Sequence, residues 1–138
     1  MGFKNTTISK IKSNFQSILI LLFILFFLLT YFKPSLILSK TITAGGDTAS
    51  HYYTAAYLKN NLLPSLKISG WTMGNYAGFP ILQFYFPLPF LIMALLSYII
   101  PLQIAFKIVT ILGTFLLPIT IYIMMRLLDF NKKIATIA

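Results

Sequence analysis

Charged residues and cysteine are scarce in this sequence. Charged side chains make up 9% of the chain and hydrophobic ones 58%, whereas a soluble domain carries roughly 25% charged residues. Such a chain cannot cover a water-facing surface, so we expect lipid to be its main solvent. Cysteine is absent, which excludes disulfides and thiolate metal sites and leaves the redox compartment undetermined.

Acidic residues are scarcer still, so the net charge is strongly positive. The chain has two acidic residues, counting Asp and Glu together, and eleven basic residues, counting Lys and Arg together, which gives a formal charge of +9. The cations are spread through a hydrophobic chain, so we expect no nucleic-acid partner. Contact with membrane lipids, through anionic headgroups or a lipid phosphate, explains the charge better.

The scarcity of acids and histidine places most of the acid–base chemistry in one polar stretch, residues 45–53. It holds Asp47, one of the two acids, and His51, the single histidine. At helical spacing the two side chains share one face. We interpret them as candidate catalytic residues, with Asp47 as a general base. A helix N-cap for Asp47 and a structural role for His51 are the alternatives.

Three apolar segments are long enough to cross a membrane, since spanning a core of ~30 Å takes about 20 apolar residues. They cover residues 15–32, 83–100 and 102–128. A cleaved signal peptide is the alternative for the first segment. Its apolar run is long and the cleavage pattern after it is weak, so we predict an uncleaved span. We expect Lys107 to snorkel to the headgroups from the third.

The distribution of positive charge predicts which side of the membrane each segment faces. Three lysines precede the first span, at positions 4, 10 and 12. They place residues 1–14 in the cytoplasm, so that loop 33–82 is extracytoplasmic in a multi-pass protein of the cell membrane. Three spans then put Arg126, Lys132 and Lys133 outside, against the same bias. Either the positive-inside bias is overridden in this chain, or the second or third segment does not cross the membrane completely. Both segments are long enough to cross, which favours three spans.

The loop is predicted to carry a short helix over residues 48–61, which Pro64 ends. Trp71 and Tyr76, in a glycine-rich turn, are candidate substrate-binding residues because aromatic faces stack on sugars; an interfacial aromatic belt is the alternative. Lys59 and Lys67 are candidate contacts for a lipid phosphate, or are simply solvated.

The chain offers few ligands for a metal. A zinc site needs more ligands than Asp47 and His51 supply, so we predict no metal centre. The cofactor stays undetermined, with a loosely held divalent cation as an open option.

The end of the sequence resembles the start of a further segment. Residues 129–138 have the pattern of a turn followed by the first residues of another helix. We infer that the chain is the N-terminal piece of a longer membrane protein. The C-terminal helices or partner subunits of that protein are then missing from this chain.

An ordered set of short motifs extends over residues 45–89. It reads Gly45-Gly46-Asp47-Thr48-x-x-His51-Tyr52, Leu63-Pro64, Gly70-Trp71, Tyr76-Ala77-Gly78-Phe79-Pro80 and Gln83-Phe84-Tyr85-Phe86-Pro87-Leu88-Pro89. This order resembles the start of the large prokaryotic membrane proteins labelled 6-pyruvoyl-tetrahydropterin synthase-related. The synthase behind that label is soluble and uses a histidine zinc site, so the label does not carry over as a function.

The succession of a first span, an acidic loop and a proline-rich second span also resembles the GT-C class of membrane glycosyltransferases. This resemblance implies an all-α integral membrane fold, here a GT-C-like N-terminal fragment with about three transmembrane helices. It also implies a polyprenyl-phosphate-linked sugar donor, with Asp47 as the catalytic loop carboxylate. A non-catalytic membrane module for assembly or lipid binding is the alternative function.

Overall fold

The longest apolar runs form the longest helices. The computed structural model describes residues 3–42, 44–74 and 76–137, with side chains from residue 15 onward. Helix α1 covers Phe3–Phe32 and α5 covers Leu102–Leu127. Among the described residues, these two helices are long and apolar enough to cross a membrane. Only 6% of the apolar window of α1, and none of that of α5, is buried, unlike the core helix of a soluble protein.

The segment 83–100, predicted as a second span, contains only one short helix. Helix α4 covers Leu88–Leu96, nine residues, and is therefore about 14 Å long, roughly half the thickness of a bilayer core. Prolines explain the limits. Pro87 and Pro89 stand at the start, where a missing N–H costs little. After Ser97 the chain turns towards Pro101.

Between α1 and α4 the chain forms short elements. Helix α2 covers Pro34–Ile37 and α3 covers Thr48–Tyr57. A π-helix, Leu58–Leu62, and a 3-10 helix, Leu63–Ser65, continue α3 without a break. Pro64, predicted to end the helix, lies within the first turn of the 3-10 helix instead. The helical path ends at Leu66, which has a left-handed φ of 54°.

A small β-hairpin follows. Strand β1 covers Gly70–Thr72 and β2 covers Phe79–Ile81. They pair antiparallel, with Trp71 opposite Pro80. The hairpin departs from the expected all-α fold, although the described chain is mostly helical.

The chain divides into two units. The first, here the loop unit, is Ser35–Ile111; the second, here the helix unit, combines Met1–Pro34 with Leu112–Ala138. The loop unit has one hydrophobic core, contributed by α3, the π-helix, the hairpin, α4 and the start of α5. Its buried residues are Ala55, Leu58, Leu62, Ile81, Leu82, Phe90, Met93, Ala94 and Phe106.

In the helix unit, α1 and the second half of α5 are antiparallel. The rings of Phe32, at the end of α1, and Phe115 lie 5.7 Å apart. Near the start of the apolar window Phe15–Phe32 of α1, the Ser17 hydroxyl lies 2.8 Å from that of Thr136, in helix α6, Lys132–Ile137. The side chain of Asn131 begins α6 by accepting a hydrogen bond from the Ile134 N–H at 3.0 Å. The described residues after α5 therefore return to the first turns of the α1 span.

Lys107 is buried, which differs from the predicted snorkelling. Its side chain is only 7% exposed. The ammonium donates to the carbonyls of Leu36 and Ser39, at 2.6 and 2.7 Å, and to the Ser39 hydroxyl at 2.9 Å. A buried charge needs such partners. Lys107 therefore holds the connector after α1 against α5, within the loop unit.

Replacing this lysine should loosen the connector. We expect Lys107→Met to keep the aliphatic stem but to lower the free energy of unfolding by about 2 kcal/mol, since hydrogen bonds to a charged group are lost. Amide hydrogen exchange of residues 36–42 should become faster in the detergent-solubilised chain. Lys67→Met, at an exposed lysine of the same unit, is the control. Equal exchange rates in both variants would contradict the role of Lys107 in holding the connector.

Candidate functional site

Helix α3 is fixed in the loop unit by its tyrosines. The Tyr53 hydroxyl lies 2.8 Å from that of Thr72, and the Tyr57 hydroxyl donates to the Trp71 carbonyl at 3.0 Å. The Tyr52 ring meets Phe106 edge-on at 5.6 Å. These contacts bind α3 to the hairpin and to α5, so the aromatic side of the helix is structural.

A different set of α3 residues lines a cleft of about 430 Å³. Asp47, Ser50, His51 and Thr54 follow the spacing i, i+3, i+4, i+7 and form one helical stripe. Across from them the lining is mainly apolar and aromatic. It consists of Phe79, Pro80, Ile81, Leu82, Phe84, Tyr85 and Phe90. The cleft thus has a polar side that offers a carboxylate, an imidazole and two hydroxyls, and an aromatic side.

Asp47 stands at the N-cap position of α3, but its carboxylate does not cap the helix. No hydrogen bond joins its side chain to a described backbone N–H at the helix start. Thr48 closes the turn instead, since both its N–H and its hydroxyl donate to the Gly45 carbonyl, at 3.2 and 2.7 Å. Asp47 is exposed. Its carboxylate is therefore available to a ligand in the cleft, beside the partial positive charge of the helix N-terminus.

His51 is held by rings. Its imidazole is half-buried, with centroids 5.8 Å from that of Tyr85 and 5.7 Å from that of Phe90. Its backbone N–H donates to the Asp47 carbonyl at 2.9 Å, which is the helical bond that places the two residues one turn apart. His51 therefore joins the polar side of the cleft to its aromatic side.

The four predicted substrate-binding residues do not line this cleft. Lys59 donates to the Ser97 carbonyl at 2.9 Å and lies 5.2 Å from the centre of the Tyr98 ring. It neutralises the negative end of α4 and so serves the fold. Lys67 is exposed, Trp71 is 58% exposed on β1, and Tyr76 is fully exposed.

Sequence reasoning missed most of the lining. Ser50 and Thr54 follow from the same helical spacing that pairs Asp47 with His51, so the polar stripe could have been predicted from the sequence. The opposite wall comes from β2 and from the segment before α4, and it depends on the pairing of Trp71 with Pro80. No local pattern gives that pairing.

The described part of the chain contains no cluster of three His, Cys, Asp or Glu residues suited to a metal ion. Asp47 and His51 are thus the only side chains of these types in the cleft lining. They do not complete a zinc ligand set, and a divalent cation held there would need oxygen ligands from its substrate or from solvent.

One comparison with known proteins finds a match. A family model described as the 6-pyruvoyl-tetrahydropterin synthase related domain, a membrane protein, matches residues 82–138. The match covers less than half of the chain. No curated protein and no solved structure matches. The match and the two apolar helices fit an integral membrane protein.

The matched segment and the motifs quoted from the sequence share only residues 83–89. The match therefore covers α4, α5 and α6 and excludes α3 with Asp47 and His51. It supports the membrane character of the chain and carries no information on the cleft residues of α3.

A glycine keeps the hairpin beside the cleft closed. Gly78 has a φ of +85°, and a Cβ there would overlap the Trp71 indole nitrogen and the Thr72 carbonyl. We expect Gly78→Ala to open the hairpin at a cost of about 1–3 kcal/mol. Because Trp71 is the single tryptophan, its fluorescence should become easier to quench with acrylamide.

Gly113→Ala is the matched control for that substitution. No atom lies within 4 Å of its added Cβ, and Gly113 lies inside α5, where alanine is the better helix former. Its Trp71 quenching should equal that of the wild type. Equal quenching in the Gly78 variant as well would contradict the close packing of the hairpin.

Proposed function

We propose that this chain is the N-terminal piece of a GT-C-like membrane glycosyltransferase that uses a polyprenyl-phosphate-linked sugar, with Asp47 as its general base. The observation that carries the proposal is the exposed Asp47 carboxylate, which lines a cleft and is not used as a helix cap. The alternative is a non-catalytic membrane module for assembly or lipid binding.

In the proposed reaction Asp47 accepts the proton of an acceptor hydroxyl. The hydroxyl oxygen forms a bond to the anomeric carbon of the sugar as the bond from that carbon to the phosphate oxygen breaks. The polyprenyl phosphate leaves with the bonding electron pair. Among the described residues, no lysine or arginine lines the cleft beside Asp47, so its carboxylate has no permanently charged cation as a partner there.

The leaving phosphate needs positive charge, and the lysines expected to supply it are elsewhere. Lys59 is bound to the end of α4, and Lys67 does not line the cleft. The N-terminus of α3, which borders the cleft through Asp47 and Ser50, offers a partial positive charge. His51 and a divalent cation are the remaining sources on the α3 side of the cleft.

Asp47→Asn tests the base. The substitution keeps the size of the side chain but removes its proton acceptor, so transfer should fall at least about 100-fold. The assay uses membranes that contain the protein expressed from its complete gene, and it follows radiolabelled sugar from polyprenyl-phosphate glucose and polyprenyl-phosphate mannose to membrane acceptors.

Asp129→Asn is the matched control, because Asp129 is the other acid of the chain and lies after α5 with a left-handed φ of 62° that Asn tolerates. It should transfer like the wild type. Full transfer by the Asp47 variant would eliminate Asp47 as base and favour the non-catalytic module. Wild-type membranes inactive with both donors would contradict the proposed donor.

We further propose that the chain crosses the membrane twice, with both its N-terminus and its last residues in the cytoplasm. With α4 too short to span, α1 and α5 are the crossings that remain in the described chain. They are antiparallel, so Arg126, Lys132 and Lys133 share the side of the N-terminal lysines. This arrangement satisfies the positive-inside bias, which three spans violate.

The absence of cysteine makes this topology directly measurable. Leu66→Cys, at a side chain 95% exposed in the loop unit, should react with a membrane-impermeant maleimide in intact cells. Leu128→Cys, 60% exposed after α5, should react only after permeabilisation. The unmodified chain gives the background. Labelling of both variants in intact cells would restore the three-span arrangement.

A further inference from the structure

A second cleft lies within the helix unit, between the first turns of the α1 span and α6. It encloses about 440 Å³. We propose that this cleft binds one anionic phospholipid, with the phosphate at Lys133 and the start of an acyl chain along α1. The site is separate from the cleft of Asp47, and the proposal does not rest on the proposed transferase function.

The polar end of the cleft is a built surface. It is lined by Gln16, Ser17, Lys133 and Thr136. Ser17 is only 8% exposed, and its hydroxyl lies 2.8 Å from that of Thr136, which fixes α6 beside α1. The amide of Gln16 and the ammonium of Lys133 can both donate to phosphate oxygens.

The other end of the cleft is apolar. Leu19, Ile20 and Ile137 complete the lining. Gln16 and Ser17 are the second and third residues of the apolar window Phe15–Phe32, so Leu19 and Ile20 lie about one turn farther along the span. The polar groups are thus nearest the headgroup level and the apolar ones deeper, in the order of a phospholipid. A free phosphate or a soluble nucleotide would leave this apolar half without a partner.

Charge favours an anionic headgroup over a zwitterionic one. Lys133 is exposed, and within the described chain no carboxylate forms an ion pair with it. The described residues that line this cleft include one cation, Lys133, and no acid. One lysine near a membrane surface raises the affinity for anionic lipid about fivefold.

Native mass spectrometry of the full chain, released from detergent, tests the site. The probes are palmitoyl-oleoyl phosphatidylglycerol and palmitoyl-oleoyl phosphatidylcholine, titrated separately. We expect the phosphatidylglycerol adduct to be tighter in the wild type. Lys133→Gln should weaken it about fivefold and remove the preference. Lys40→Gln, the same charge change at an exposed lysine of the loop unit, should bind phosphatidylglycerol like the wild type.

Two further arms separate lipid binding from simpler explanations. Ile20→Trp fills the apolar half without changing charge and should weaken both lipids, with circular dichroism confirming unchanged helix content. Added inorganic phosphate should not displace the lipid. The proposal is overturned if Lys133→Gln binds phosphatidylglycerol like the wild type, if both lysine variants weaken it equally, if Ile20→Trp has no effect, or if phosphate alone displaces it.

Discussion

The packing of α3 against α4 is the contact on which the loop unit depends. Ala55 on α3 and Ala94 on α4 are both completely buried, and Leu58, just after α3, is buried with them. Small side chains let two helices approach closely, and a fully buried leucine contributes about 1.5–3 kcal/mol. Because this contact fixes the rotation of α3, it also fixes which stripe of the helix reaches the cleft.

The second wall of the cleft is held by the same helix. Tyr53 and Tyr57 bind β1 through Thr72 and the Trp71 carbonyl, and β1 holds β2, whose residues line the cleft. Both walls therefore depend on α3, one directly and one through the hairpin. Because one helix positions both walls, their geometry is set by the packing of the loop unit, which suits the proposed role of Asp47 as a general base.

Two of the three predicted spans coincide with long apolar helices, whereas the segment 83–100 contains a short helix. The bounds predicted for the last span, 102–128, nearly coincide with α5, Leu102–Leu127. Residues 83–100 are also largely apolar, but Pro87 and Pro89 at the start of the helix and Pro101 after it leave a helix of nine residues. Hydropathy measures how apolar a segment is, whereas the prolines at the two ends of this segment limit the length of its helix.

The site was predictable only where it is local. Helical spacing placed Asp47 and His51 on one face, and they do line one cleft. Trp71 and Tyr76 were predicted from their ring chemistry, whereas Tyr85 and Phe90, the rings beside His51, are brought to the cleft by tertiary packing. Long-range packing decides which of several aromatic residues contacts a helix, and this packing cannot be predicted from composition.

The lysines show why net charge is a poor guide to ligand binding in this chain. Lys59 and Lys107 donate to backbone carbonyls and hold α4 and the connector after α1, so their charge is used within the fold. In the described lining of the cleft, Asp47 has no lysine or arginine beside it, and its carboxylate repels a phosphate placed directly beside it. The proposed reaction then requires the neutral acceptor hydroxyl next to Asp47 and the donor phosphate farther along the cleft. His51, one turn on from Asp47 and against Tyr85 and Phe90, stands where the polar side passes into the aromatic side. That order, carboxylate, imidazole, then rings, suits a ligand with a sugar at one end and a lipid at the other.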